Sequence, residues 1–381
     1  MYKLTRYLYE LSEVKGNLIM ALLNKDNKES LFWAFEYFYS GYHCEVTNFI
    51  IQIYYDFYYI LNPTFEKYMF IQLKKVKLEN EDEDLALFIK LIVDNLIFRP
   101  YTLDTFMLRN MGLQFDVTFD EIEDVNNEII SLILEQDNFV FMATILMQCE
   151  KYNDVKELEE LHSKVIDKMG CHIKINKNVK MKETNALLEK CYKDEFILKR
   201  TIILSKIINY YSIKINTKMH RSVYIENDKK KQLKELYVYK TKYPTTLKED
   251  AKYATNKNDF IGIFQLERFK KEAKNYKERY LKKWEYYAYD TPYWTNLFAL
   301  YEAYKDEEQK EIIFEDEEDE NEFYEEIDYF TDELSKEIQE KSIGEIEKKC
   351  NLVNFYRKYG NKNVINIEEE EISYLDLFVI D

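Results

Sequence analysis

Glycine and proline are scarce in this chain, 7 and 4 of 381 residues, against usual shares of about 7% and 5%. That shortage disfavours turn-dense sandwiches and barrels and favours long helices. The glycines, at 16, 41, 112, 170, 262, 344 and 360, never come within four residues of each other. No glycine-rich phosphate loop of either common kind can therefore be built. The five cysteines, at 44, 149, 171, 191 and 350, are odd in number and never spaced C-x-x-C, so reduced thiols are expected rather than a disulfide framework. "HC" at 43–44, "CH" at 171–172 and Cys191 lack zinc-ligand spacing, and no metal site is expected. His162 and His220 stand alone and read as ordinary surface or hydrogen-bonded histidines. Neither G-x-S-x-G nor H-E-x-x-H occurs, and no cofactor motif is found. No stretch approaches the roughly 18 apolar residues of a membrane span, and the start, "MYKLTRYLYELSEVK", lacks a signal peptide's apolar region. A soluble intracellular protein without a membrane partner is the expectation.

What is present is apolar mass and a segregated charge. Hydrophobic residues make up 46% of the chain, enough for a sizeable core in one large or two ordinary domains. The net charge of −17 is divided unevenly. Residues 1–173 hold 16 Lys/Arg against 29 Asp/Glu, a net of −13; residues 174–290 hold 29 against 15, a net of +14; residues 291–381 hold 9 against 27, a net of −18. Such a layout suggests an interaction surface in the middle and a solvated or masking tail.

The first 170 residues read as successive amphipathic helices. Leu4, Leu8, Leu11, Val14, Leu18 and Leu22 predict a helix from about Thr5 to Asn24. Further helices are predicted from Asn27 to Gly41, Cys44 to Leu61, after Pro63, and over 82–97, 120–135, 137–149 and 153–169. Helices joined by short polar turns predict stacked antiparallel hairpins, as a bundle or an α-solenoid-like array. Beyond Gly170, "CHIKINKNVK" reads as a strand or linker, helix resumes over 184–211, and "YSIKIN" with "RSVYIEN" offers a small hairpin. Helices follow over 228–239 and 264–287, with a loop-like stretch between them. The fold class is thus mainly α, organised as an N-terminal helical domain (1–170), a basic helical middle (171–290) and an acidic, partly irregular C-terminal region (291–381), in which the run at 315–322 reads as a solvated loop.

"LFWAFEYFYSGY", residues 31–42, carries three Phe, a Trp and three Tyr around a single carboxylate, Glu36. A helix apolar on every side is a central one, enclosed by neighbours. Inside it Glu36 is either satisfied by a Tyr hydroxyl, an Arg or a Lys, or exposed at an edge, or is an acid of raised pKa in a pocket, the basis of a third idea, an unrecognised enzyme.

Two stretches suggest partners. In "RFKKEAKNYKERYLKKWEYYAYDTPYW" (268–294), Tyr276, Tyr280, Trp284 and Tyr287 share a helix face, Lys270, Lys274, Lys277 and Lys282 lie on flanking faces, and Lys271 adds to the same cationic run. Lysines can contact phosphate and rings can stack on unpaired bases. With Lys229, Lys230, Lys231 and Lys234 these residues form a candidate nucleic-acid surface, although rings at helical spacing equally describe a core face. At the end, "YLDLFVID" offers Tyr374, Leu375, Leu377 and Phe378 as a docking segment or as a strand packed on its own domain.

"ESLFWAFEYFYSGY", "IYYDFYYILNPTFEKY", "EFYEEIDYF" and "DELSKEIQEKSIGEI" resemble uncharacterised proteins of large eukaryotic DNA viruses, especially the mimivirus-like group. The Lys, Asn, Ile and Tyr bias suits an AT-rich genome. The resemblance implies host cytoplasm and its virus factory, or the virion, and brings no active site. The expected function is a non-enzymatic interaction scaffold with viral or host protein partners. The alternative is an RNA or single-stranded DNA binding factor in viral messenger-RNA handling or translation initiation.

Overall fold

The computed structural model describes residues 3–76, 81–114, 137–169, 196–214, 229–240, 276–328, 334–343 and 351–376, with shorter pieces at 133, 135, 253–255 and 260–264. The protein is mainly helical, as its composition predicts. The first half contains α1 (Leu11–Leu23), α2 (Asn27–Tyr39), α3 (His43–Ile53), α4 (Phe65–Leu73), α5 (Glu81–Leu96), α6 (Asp104–Gln114), α7 (Phe139–Gln148) and α8 (Val155–Met169). Then come α9 (Phe196–Lys214), α10 (Lys229–Tyr237), α11 (Tyr276–Ala288), α12 (Pro292–Leu300), α13 (Glu317–Ile327), α14 (Lys336–Ile343), α15 (Leu352–Tyr359) and α16 (Glu369–Asp376). A two-stranded antiparallel hairpin, β1 (Tyr304–Asp306) with β2 (Glu311–Ile313), pairs Lys305 with Ile312.

The sequence pattern places α2, α3, α5, α7 and α8 close to where they lie. One contiguous cluster of buried residues runs from Leu4 to Ile372 and fills the interior. Neighbouring helices pack in pairs, α1 with α2 and α6 with α7. At the second crossing a Cβ on Gly112 would meet the Ala143 backbone at 2.6 Å, so only glycine allows the approach.

Several expectations are corrected. The first helix begins at Leu11, where Glu10 caps it by accepting from the Glu13 amide. Leu4 and Leu8 have helical spacing, but Leu8 adopts φ 57° and residues 4–10 fold into a buried loop instead. An L-residue in that region cannot continue a right-handed helix. The acidic run is not a loop: Asp316 accepts from the amides of Glu318 and Asp319, starting α13, and Phe323 and Ile327 are buried. Residues 211–214 of "YSIKIN" extend α9, and the expected helix at 264–287 is seen from Tyr276, with a break at Lys283 (φ −140°, ψ 33°). Helix α6 carries no periodic signal that the sequence reading used, and "DTPYWTNLFALYEAYKDEEQKE", which reads as helical after Pro292, is helical only to Leu300 before the β hairpin takes over. "CHIKINKNVK", "RSVYIEN" and nearly all of 120–135 lie outside the described residues.

Buried polar groups fix the contacts that non-directional apolar packing leaves free. Arg109 binds Asp56 through two contacts of 3.0 Å, joining α6 to the wide turn Tyr54–Tyr58. Lys206 lies 3.4 Å from Glu66, which also accepts from the Tyr55 hydroxyl at 2.7 Å. Lys90 bridges Asp94 (2.7 Å) and Glu235 (3.0 Å), tying α5 to α10. The buried Asp104 carboxylate accepts from the Val364 and Ile365 amides at 3.0 Å, fastening the C-terminal region onto α6.

Helix α13 is fastened to α11 by the Tyr324 hydroxyl, which donates to Glu285 at 3.0 Å. Burial pushes the Glu285 carboxyl from 4.5 up to about 7. The folded state then keeps a proton that the unfolded chain has lost, so this group's contribution is fully present below about pH 4.5 and disappears as pH rises through about 7. Urea denaturation across that window should show the wild-type protein losing stability, as pH rises, relative to Glu285→Gln, which retains the acceptor and cannot ionise. Parallel profiles would contradict this.

Candidate functional site

The answer to the lone carboxylate of α2 lies thirty residues upstream. Glu36 is fully buried, and its Oε2 accepts from Arg6 Nε at 2.9 Å while its Oε1 accepts from the Tyr7 amide at 3.0 Å. Burial raises the Glu36 pKa, and the charge of Arg6 pulls it back. The guanidinium lies over the Tyr7 and Tyr39 rings, 4.6 and 5.0 Å from their centroids, contacts that favour a desolvated cation.

Three further elements hold the loop that carries Arg6. The Arg6 amide donates to Ser40 Oγ at 3.0 Å, Thr291 Oγ1 to the Leu4 carbonyl at 2.6 Å, and Trp294 Nε1 to the Thr5 carbonyl at 3.0 Å. The Tyr9 hydroxyl donates to the Tyr253 carbonyl at 2.8 Å. Gly41 (φ 93°) permits the close approach of α12: a Cβ there would lie 2.6 Å from Pro292 Cβ.

A cavity of about 260 Å³ opens beside this pair, lined by Arg6, Tyr7, Lys28, Phe32, Val238, Tyr239 and Tyr253. Of these, Phe32 and Tyr253 pack on each other with ring centroids 5.0 Å apart, and Tyr239 is stacked on Phe35 at 4.9 Å. Lys28 is exposed. Arg6 is 4% exposed, and its Nη1 has no hydrogen-bond acceptor. Burial raises the phenol pKa of Tyr239 and of Tyr253, the latter with help from Asp26 and Glu29. Both hydroxyls are therefore protonated donors over the neutral range.

The residues singled out in the sequence are differently placed. Lys231 and Lys234 are exposed on α10, directly before Val238 and Tyr239. Lys229 and Lys230 belong to the same helix. Tyr276, Lys277 and Tyr280 lie on α11, whereas Lys270, Lys271 and Lys274 fall outside the described residues. Trp284 is 3% exposed and packs edge-on to Trp294 at 4.9 Å, the core-face alternative. Tyr374 and Leu375 are in α16, and Leu377 and Phe378 lie outside the described residues. His43 pairs with Asp82 at 2.7 Å, and Cys44 is exposed. His162 is buried, its pKa lowered to about 3 by burial and then by Lys206. Among the described residues no group of three His, Cys, Asp or Glu is placed to hold a metal ion. The sequence reading singled out Glu36, with Phe32 in the same run, but not Arg6, Tyr239 or Tyr253, because three other segments supply them.

No protein-family model, curated protein or solved structure matches the chain.

Removing one member of a buried ion pair strands the other, at a cost of about 3–5 kcal/mol. Glu36→Ala should be destabilised by that amount in urea denaturation. Arg6→Met combined with Glu36→Leu should recover the larger part, leaving about 1–2 kcal/mol for the orphaned Tyr7 amide. A Glu36→Ala protein as stable as wild type would rule out this account of the pair.

Proposed function

We propose that the protein is a non-enzymatic interaction scaffold within a viral macromolecular complex of the host cytoplasm. The observation that carries this reading is how the groups around the cavity are used: the carboxylate bonded to its Arg6, Glu36, is spent on Arg6 and the Tyr7 amide, and the phenols of Tyr239 and Tyr253 are moved away from ionisation. Such a surface binds through rings and donors, whereas acid–base chemistry needs a group free to exchange a proton near neutrality. Tyr237 and Val238, 77% and 64% exposed at the end of α10, are apolar side chains left in water beside that cavity, as at protein contacts. No helix among the described residues is long and apolar enough to cross a membrane.

A second reading, an RNA or single-stranded nucleic-acid binding factor, is favoured by one specific juxtaposition. The exposed Lys231 and Lys234 precede, on one short helix, the residues that wall an aromatic cavity.

Affinity purification from infected cells, with nuclease treatment, tests the scaffold. A protein partner should be recovered in fixed stoichiometry after nuclease, and Tyr237→Ser with Val238→Ser should lower that recovery on the order of tenfold without altering the melting temperature. Recovery of the protein alone, or recovery indifferent to the double substitution, would reject it.

A further inference from the structure

We infer that the outer face of the β1–β2 hairpin is a docking surface for a lysine- or arginine-rich segment of a partner protein, one that brings an apolar side chain to cover Tyr304 and Ile313. The inference rests on the scaffold reading above and gives a partner its chemistry.

The strand register sets the face. Tyr304 stands opposite Ile313, and Asp306 opposite Glu311. Residues two apart in a strand point the same way, so an apolar pair and an acidic pair share one side of the hairpin. The residues between them take the other side. Ile312 packs against the core, and Lys305, its side chain 8% exposed, reaches Asp290 at 2.8 Å and lies 4.4 Å from the centroid of the Tyr286 ring. The inward face is thus filled. Outward, Tyr304 is 51% exposed, and Leu300, four residues earlier at the end of α12, is 76% exposed. Among the described residues β1 pairs with β2 alone. A cross-strand apolar pair left in water is what the centre of an interface buries.

Charge sets the occupant. Residues 302–328 hold 15 Asp/Glu against two lysines, and one of the two, Lys305, is bonded to Asp290 and Glu307. From α11, Lys283 reaches Glu311 at 3.2 Å. A large surplus of acids remains. It is also concentrated: the pKa of Asp319, in the first turn of α13, is raised first by desolvation and then by the charges of Asp316 and Glu302, so the junction of α12 and β1 lies within electrostatic reach of that helix. Like charges held together repel, and a cationic partner relieves the repulsion. Nucleic acid or an anionic membrane would add to it.

Two smaller cations fit less well. Among the described residues no group of three of these carboxylates is placed to hold one metal ion, so the acids are spread out and call for several separated positive charges. A polyamine supplies those charges but leaves Tyr304 and Ile313 in water. A basic polypeptide segment with an apolar side chain meets both demands, with the apolar contact at the centre and the ion pairs around it.

Fluorescence anisotropy with the full-length protein tests the surface. The probe is a nine-residue peptide alternating lysine with leucine, and the controls are the same peptide with serine for leucine, the same with glutamate for lysine, and spermine as competitor. The lysine–leucine peptide should bind about tenfold more tightly than the lysine–serine peptide, the glutamate peptide should not bind, and raising NaCl from about 0.05 to about 0.3 M should weaken binding several-fold. Spermine should displace the lysine–serine peptide more readily than the lysine–leucine peptide. Tyr304→Thr with Ile313→Thr, which keeps branched residues suited to a strand, should remove the advantage of leucine over serine with the melting temperature unchanged. Glu302→Gln with Glu308→Gln should weaken both lysine peptides. Equal affinity for the two lysine peptides, binding indifferent to both double substitutions, or no binding at all would each overturn the assignment. So would salt-sensitive self-association in sedimentation that Tyr304→Thr with Ile313→Thr abolishes, since the occupant would then be a second copy. The α10 surface takes no part in these measurements. Absence of peptide binding with the infected-cell partner still recovered would remove this face alone, and peptide binding with no partner recovered would remove the scaffold reading and leave this face standing.

Discussion

A charge pair withdrawn from water can persist only if the surrounding chain gives each partner its hydrogen bonds, and in this protein the pair is Arg6 with Glu36. Glu36 sits in the middle of the most aromatic helix of the molecule, 0% exposed, where an unpaired carboxylate would cost several kcal/mol. Its partner arrives on the loop of residues 4–10, which must run inward to deliver it. Once there, the loop leaves its own amides and carbonyls to be satisfied. Ser40, Thr291 and Trp294 meet three of those needs. The constraint thereby passes from α2 to α12, and the approach of these helices requires the left-handed Gly41.

The same principle recurs on a smaller scale elsewhere in the core. Aromatic rings can pack against each other in many arrangements of similar energy, since burial has no direction. Ion pairs do have direction. Arg109 with Asp56, Lys206 with Glu66, and Lys90 with Asp94 and Glu235 each allow one register of the helices that carry them. At the Arg6–Glu36 pair the satisfaction is incomplete, because Nη1 has no acceptor, and there the core opens into a cavity. Asp94 Oδ1 is likewise left without a partner in the core, but at Arg6 the buried ion pair also borders a cavity lined by aromatic rings.

Legibility in the sequence followed the range of the interaction. Helices α3 and α5 were readable because a stripe of Val, Ile, Leu and Phe at three- and four-residue spacing is a local signal, and α2 because its run is apolar on every side. Local spacing also misled: Leu4 and Leu8 continue the stripe of α1, yet the cap at Glu10 and the left-handed Leu8 send them into a loop. The run of acids at 317–320 reads as solvated chain, but acids stabilise the first turn of a helix, and Phe323 and Ile327 anchor that helix to the core. Glu36 was conspicuous in the sequence. Its partner was not, since nothing local links Arg6 to a residue thirty positions away, and the cavity depends on Tyr239 and Tyr253, more than two hundred positions further along.

The loop of residues 4–10, tied to Ser40, Glu36, Thr291 and Trp294, is among the firmly held parts of the molecule. Native-state amide hydrogen exchange measures this directly. The Arg6 and Tyr7 amides, bonded to Ser40 and Glu36, should exchange only through global unfolding, with protection equal to that of the α2 core. Exchange of these two amides at the rate of an unprotected terminus, while α2 stays protected, would contradict the account.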